Sequence, residues 1–244
     1  MKPFLIHNWK TYIISAGDAV ALADALSETD TAEVVVCPSA LHTLTIAESV
    51  RRKKIALGAQ DISTSAENPR TGNIAGAQLH EAGVSHVIVG HAETRAAGVT
   101  NAMVADKVSH ALMSDLIPIV CLSEQDENEQ GDGEEVAQQL EEIIQQNKEG
   151  LQKNGSRQHC IIAYEPTQHI GARDALAPEK IKQVTEHIRT TLSQHAMPNT
   201  PILYGGAVNP ENAEGILEIA GVNGFLLGRA STNADTANAI LHSL

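Results

Sequence analysis

The sequence predicts an α/β protein built as a closed (β/α)8 barrel, with one domain over residues 1–244. Three observations predict it. Short aliphatic runs alternate with helical patterns from one end of the chain to the other. That repetition calls for parallel strands joined by right-handed crossovers. Eight strand–helix units fit a chain of 244 residues, the count and size of such a barrel. Hydrophobic residues make up 42% of the chain but aromatics only 2%. The core is therefore built from Val, Ile, Leu and Ala, as a parallel sheet covered by helices requires. An open doubly wound sheet competes with this reading. The chain has no Gly-x-Gly-x-x-Gly after its first run, which weakens the dinucleotide-binding form of that alternative.

The runs read as strands in order: PFLIHNW (3–9), AEVVVCP (32–38), KIALGAQ (54–60), HVIVGH (86–91), IPIVCL (117–122), HCIIAYEP (159–166), PILYGG (201–206) and GFLLG (224–228). Amphipathic stretches at 17–28, 101–115, 134–149 and 178–195 read as helices between them. Pro178 suits the first position of its helix, and Asn209-Pro210 supplies an N-cap followed by a proline at the first helical position. The polar stretch SEQDENEQGDGEE (123–135) reads as a solvated loop.

Lys and Arg total 17 against 30 Asp and Glu, a net charge of −13. Such a balance argues against nucleic-acid binding, which needs basic surface. An anionic substrate must then be held by local groups rather than by the overall field. Cys37, Cys121 and Cys160 each lie in an apolar run. Their odd number and unpaired spacing read as reduced, buried thiols. No signal peptide stands at the N-terminus, and no apolar run approaches the ~18 residues of a membrane span. A soluble cytoplasmic protein without membrane contact is the expectation.

In a barrel, chemistry sits where strands end, on the loops of the C-terminal face. The first strand ends HNWK, and alternation puts Asn8 and Lys10 on one side. Lys10 suits an anion; its plainer reading is a solvated lysine with its stem on Trp9. The fourth ends GHAETR, with His91 after a tight glycine and Glu93 and Arg95 beyond. If a helical turn starts there, nearby N–H groups and the helix dipole disfavour positive charge, so a neutral imidazole donates to a developing oxyanion. A histidine that only caps a helix fits equally. The sixth ends AYEP, placing Glu165 where a strand stops, with Pro166 stiffening the exit. Burial would make that carboxylate a better base; a glutamate exposed at a loop start is the plainer reading.

The seventh and eighth runs end YGGAV and LGRAS, and HIGAR follows Glu165. Small residues there let backbone N–H groups approach and cradle a phosphate dianion, or simply permit turns. Together, a cation, a neutral donor, a carboxylate and a phosphate nest at one mouth suit proton transfer beside the carbonyl of a small phosphorylated sugar. Histidines and cysteines lack metal-ligand spacing, and there is no Gly-x-Ser-x-Gly. Neither metal nor organic cofactor is expected.

From NWK through GAQDIS, VSHVIVGHAETR, PIVCLSE and IIAYEP to YGGAVNPENA and GFLLGRAS, the whole chain resembles the triose-phosphate isomerases. The resemblance implies a TIM barrel, a homodimer and a place in glycolysis and gluconeogenesis. It implies that dihydroxyacetone phosphate and D-glyceraldehyde 3-phosphate are interconverted through an enediolate. Matched motif by motif, Glu165 would be the base and His91 the electrophile. Lys10 would stabilise the enediolate and phosphate, Asn8 would hold the substrate oxygen, and Glu93 would organise the Lys10–His91 neighbourhood. N–H groups of Gly171, Ala207, Gly228 and Arg229 would take the phosphate.

The sequence also departs from that pattern. Where the family's lid reads Glu-Pro-Val-Trp-Ala-Ile-Gly-Thr-Gly-Lys, residues 165–174 read EPTQHIGARD, so Gln168 replaces the hinge tryptophan. Ala92 replaces a serine expected to hold the resting base, and Ala207 a serine expected to help latch the lid. Asn73 and Thr94 stand where a glutamate and an arginine would pair across a dimer. Losing both charges together leaves no lone buried charge. The altered lid keeps open a paralogue for another small sugar phosphate, such as a tetrulose phosphate. A catalytically idle phosphate-ligand sensor on the same barrel is a further alternative, against which the retained Asn8, Lys10, His91 and Glu165 argue.

Overall fold

The structure, a computed structural model, describes residues 1–65, 69–124, 133–152 and 160–244. Eight parallel strands close in sequence order: β1 (Phe4–Asn8), β2 (Glu33–Cys37), β3 (Ile55–Ala59), β4 (His86–Val89), β5 (Ile117–Glu124), β6 (Ile161–Pro166), β7 (Ile202–Tyr204) and β8 (Gly224–Leu227). The last strand returns to the first, with Phe4 paired to Gly224 and Leu5 to Phe225. The expected barrel is the observed one. Of the polar stretch 123–135, only its ends are described, and His159 of the sixth run lies outside the described residues.

Alternation sorts each strand into two layers. Phe4, Ile6, Val35, Cys37, Ile119, Cys121, Ile161, Ala163 and Leu226 pack in one cluster inside the barrel. Leu5, Trp9, Val34, Val36, Val120, Leu122, Ile162 and Tyr164, offset by one, pack outward with the helices. The three cysteines are free and buried, as their apolar surroundings suggested.

The helices follow the strands: α1 (Ala16–Ala25), α2 (Thr43–Arg51), α3 (Gly76–Glu81), α4 (Ala92–Ala96), α5 (Asn101–Met113), α6 (Glu134–Leu151), α7 (Pro178–Gln194), α8 (Ala213–Leu217) and α9 (Ala234–His242). Side chains of Ser15, Thr100 and Asn233 cap α1, α5 and α9 by accepting N–H groups of the first turn. Pro178 opens α7 as expected. At Asn209-Pro210 the expected cap forms and the helix boundary differs. The Asn209 side chain accepts N–H groups of Glu211 and Asn212 at 3.0 and 2.9 Å, and its carbonyl accepts the Ala213 N–H at 3.1 Å. Regular helix begins after this capped turn, at Ala213. Among the described residues, no helix is long and apolar enough to cross a membrane.

Candidate active site

The inner layer carries its alternation up to the rim. Phe4 and Ile6 lead to Asn8, Ile161 and Ala163 lead to Glu165, and Leu226 leads to Gly228. A cavity of about 440 Å³ opens there at the C-terminal ends of the strands. Asn8, Lys10, His91, Glu165, Gly171, Ala207, Gly228 and Arg229 all line it. Glu93 does not: its side chain is 60% exposed and reaches the site only through its neighbours.

His91 follows Gly90, whose φ of 71° turns the chain sharply out of β4. The ring is both cap and donor, so the two readings of this histidine coincide. The Glu93 N–H donates to its Nδ1 at 3.1 Å. A nitrogen that accepts this bond carries no proton, which leaves the hydrogen on Nε2 of a neutral ring. The Glu93 carboxylate stands 3.7 Å from the same Nδ1, too far to compete. Nε2 then lies 3.0 Å from Glu165 Oε1.

Glu165 is 1% exposed. Its other oxygen, Oε2, accepts the Ala92 N–H at 2.8 Å. Loss of the serine hydroxyl at position 92 suggested a base without its resting anchor. The structure corrects this: the backbone of the same residue holds it. The Cys121 thiol, inward on the neighbouring strand, is pushed well above its usual range by burial and then by the Glu165 charge.

Lys10 reaches the site differently from the expected alternation. Strand β1 stops at Asn8, and Lys10 adopts a left-handed backbone with φ 47°. That conformation costs a lysine about 1 kcal/mol or more and persists when neighbours over-determine it. Here the Asn8 side chain accepts the Lys10 N–H at 3.1 Å, and Gln60 Nε2 donates to the Lys10 carbonyl at 2.9 Å. Gln60 also donates to the Cys37 carbonyl at 3.1 Å, so it ties three strand ends together. The ammonium meets Glu93 Oε1 at 2.7 Å. Gln60 escaped the sequence reading except as a letter in GAQDIS; its place at the end of the third run was the available signal.

Arg95 braces the corner from behind. Its guanidinium donates to the carbonyls of Gly90 at 2.8 Å and Cys121 at 3.1 Å, and to Asn101 Oδ1 at 2.6 Å. Thr94 donates its hydroxyl to the His91 carbonyl at 2.8 Å, while Asn73 sits on an exposed tip. No unpaired charge is left at either position.

The segment expected to form the lid follows Glu165 directly. A 3-10 turn spans Thr167–His169, and Ile170 to Arg173 border the cavity. Thr167 donates its hydroxyl to the Glu124 carbonyl. His169 Nδ1 lies 2.9 Å from the Asp174 carbonyl, which only accepts, so the ring nitrogen donates. At the far end the Leu176 N–H donates to the Tyr204 hydroxyl at 2.9 Å. Burial pushes that hydroxyl up to about 12, which keeps it a neutral phenol. A Cβ at Gly206 would stand 2.2 Å from the Tyr204 oxygen. Glycine is therefore required there to leave the anchor in place. Ala207, lacking a hydroxyl, has its carbonyl held by Asn212 Nδ2 at 3.0 Å.

Among the described residues, Glu165 is the only carboxylate in the cavity wall, against Lys10, Arg173 and Arg229. A site of this composition attracts an anion although the chain is acidic overall. Among the described residues no group of three His, Cys, Asp or Glu could hold a metal ion.

These parts make up an acid–base site on a (β/α)8 barrel, with room for one small anionic ligand. A family model described as Triosephosphate isomerase matches residues 3–244. Curated relatives of that name include one from Alkalilimnicola ehrlichii, 36% identical over 247 residues, covering 96% of this chain and 95% of the relative. Another, from Roseiflexus castenholzii, is 34% identical over 254 residues, covering 99% and 97%. A third, from Acidiphilium cryptum, is 34% identical over 246 residues, covering 98% and 97%. The chain belongs to the triosephosphate isomerase family.

Proposed function

We propose that the chain interconverts dihydroxyacetone phosphate and D-glyceraldehyde 3-phosphate, as an aldose–ketose isomerase working by proton transfer with neither metal nor organic cofactor. One observation carries the reading: Glu165 and the N–H-bearing Nε2 of His91 stand 3.0 Å apart in the wall of a cation-lined cavity. Glu165 takes a proton from the carbon beside the carbonyl, and the electron pair moves onto the carbonyl oxygen. His91 donates Nε2–H to that oxygen, and the Lys10 charge stabilises the enediolate. Glu165 then returns the proton to the neighbouring carbon, while the hydroxyl proton of the other oxygen passes to His91 Nε2, which replaces the one given up, so that a new carbonyl forms and both side chains are restored. Asn8 fixes Lys10 and offers its amide to the substrate oxygen, and Glu93 holds the Lys10 ammonium and the His91 ring in register. Backbone N–H groups of Gly171, Ala207, Gly228 and Arg229 cradle the phosphate, a role their place in the cavity wall supports. This chemistry belongs to glycolysis and gluconeogenesis, and three free, buried thiols support a cytoplasmic setting.

A homodimer is part of the same reading. Tyr12, Ile14, Leu41 and Leu44 are exposed apolar side chains beyond β1 and β2, with Ile14 84% and Leu41 86% exposed. His42 Nε2 lies 3.2 Å from the Ile13 carbonyl and joins the two segments into one surface. In the dimer, the 68–76 loop, of which residues 69–76 are described, would reach the partner's Lys10 region, with Thr71 near its exposed tip. A coupled assay with glyceraldehyde 3-phosphate tests the activity. Turnover that disappears in Glu165→Gln supports the reading; absence of turnover in the unaltered chain overturns it.

A further inference from the structure

Among the described residues, the charged groups near the cavity divide into two kinds. Lys10 is tied to Glu93, and Arg95 to two carbonyls and an asparagine. Arg229 has no such restraint: no carboxylate lies within ion-pair distance of its guanidinium, and its side chain makes no hydrogen bond among the described residues. Its backbone follows Gly228 at the end of β8, in the cavity wall. Its Nη2 would stand 3.6 Å from a Cβ placed on Gly171, so the guanidinium crosses from the barrel rim to the lid. Gly171 has φ 71° and no side chain to fill that space. An unpaired guanidinium beside two backbone segments of a phosphate cradle is a fork in search of a bidentate acceptor.

We propose that Arg229 binds the ligand's phosphate through its guanidinium as well as its N–H, and thereby selects dianionic ligands. The inference rests on the phosphate-binding reading of this cavity. It adds a side-chain cation that bridges rim and lid where backbone N–H groups alone would serve. The phosphate dianion takes two N–H bonds from the guanidinium, and the same side chain then packs against the lid at Gly171. Arg173, from the lid, faces the same cavity and adds like charge to the mouth. An anion offsets that repulsion, whereas a neutral ligand does not.

The test uses the full chain and two anions of similar shape: phosphoglycolate, a dianion at its phosphate, and sulfoacetate, a monoanion at its sulfonate. Calorimetric titration gives both dissociation constants for the unaltered chain, Arg229→Gln and Arg229→Lys. In Arg229→Gln, phosphoglycolate is expected to bind about tenfold more weakly, as loss of a charge-assisted contact implies. The preference for phosphoglycolate over sulfoacetate should shrink with it, and Arg229→Lys, which restores the charge but not the fork, should recover part of both. Equal phosphoglycolate binding in Arg229→Gln, or a uniform loss for both anions that lysine does not rescue, overturns the proposal. The titration needs no turnover. A chain that binds through Arg229 but fails to isomerise would refute the activity and leave this inference standing.

Discussion

Glu165 and Ala92 are joined through the backbone: the Ala92 N–H donates to Oε2 of the carboxylate at 2.8 Å. The bond parks the base beside His91 and leaves it free of any side-chain hydroxyl. One N–H and one imidazole N–H satisfy its two oxygens, so the carboxylate is buried with partners rather than stranded. Those partners are replaceable by a substrate that offers its own carbon-bound proton.

Glu165→Asp withdraws the carboxylate by one methylene from both partners. An error of about an ångström costs roughly two to three orders of magnitude in kcat. The residues proposed to hold the phosphate are untouched, so KM should change little. Steady-state kinetics in both directions measure the split, and near-normal kcat in the variant would remove Glu165 from its role as base.

His7, outward-facing on β1, is fully buried, and burial lowers its pKa to about 4 from 6.5. Above pH 6.5 the ring is neutral in both the folded and unfolded chain, and the native contribution is complete. As pH falls from 6.5 towards 4, the unfolded chain binds a proton that the folded one refuses, so stability drops, by about 3 kcal/mol in all. Below pH 4 this group adds no further slope. His7→Leu should flatten the decline between pH 7 and 4.5 in urea titrations. An equal decline in the variant would show that other groups cause it.

Tyr204→Phe deletes the acceptor for the Leu176 N–H at the far end of the lid. A lid that opens with the enediolate in place lets phosphate leave as methylglyoxal forms. Loss of one hydrogen bond worth about 1 kcal/mol should raise that by-product about fivefold relative to isomerisation. Gln168→Trp should lower it, because the hinge gains apolar area. A by-product ratio that neither substitution moves would mean that other contacts, those of Thr167 and His169 among them, set the lid.

Ile14→Asp places a charge in the exposed apolar surface beside Lys10. The expected outcome is a monomer in sedimentation, with kcat/KM down about tenfold as the Lys10 segment loses support. If the unaltered chain already sediments as a monomer with full activity at the same concentration, the dimer is wrong.

Much of this was legible in the sequence because the strands are regular. Alternation carried Ile161 and Ala163 inward and so pointed Glu165 at the mouth; the same rule placed Asn8. Lys10 reaches the same cavity as Asn8, as expected, but by another route: a left-handed backbone held by Asn8 and by Gln60 from another strand end, which no local pattern announces. Asn209-Pro210 announced the cap correctly but not the boundary, because one capped turn precedes the regular helix at Ala213. The alanine at 92 read as a missing hydroxyl, whereas any residue there except proline supplies an N–H. Side-chain patterns reveal periodicity; they say little about which backbone groups a fold will aim at a site.

The ring closes along β1 and β8, starting where Phe4 meets Gly224, and a Cβ on that glycine would stand 2.0 Å from the Phe4 carbonyl. Its φ of 140° is likewise glycine territory. During synthesis the first strand therefore emerges long before its second partner exists. Until β8 leaves the ribosome, β1 has an open hydrogen-bonding side that a neighbouring nascent chain can occupy. A larger residue at 224 would act at that last step: the earlier strands would still assemble, but as an unclosed sheet. Its signature in the cell would be inclusion bodies and chaperone dependence, with the same loss caused by a stop codon placed just before β8.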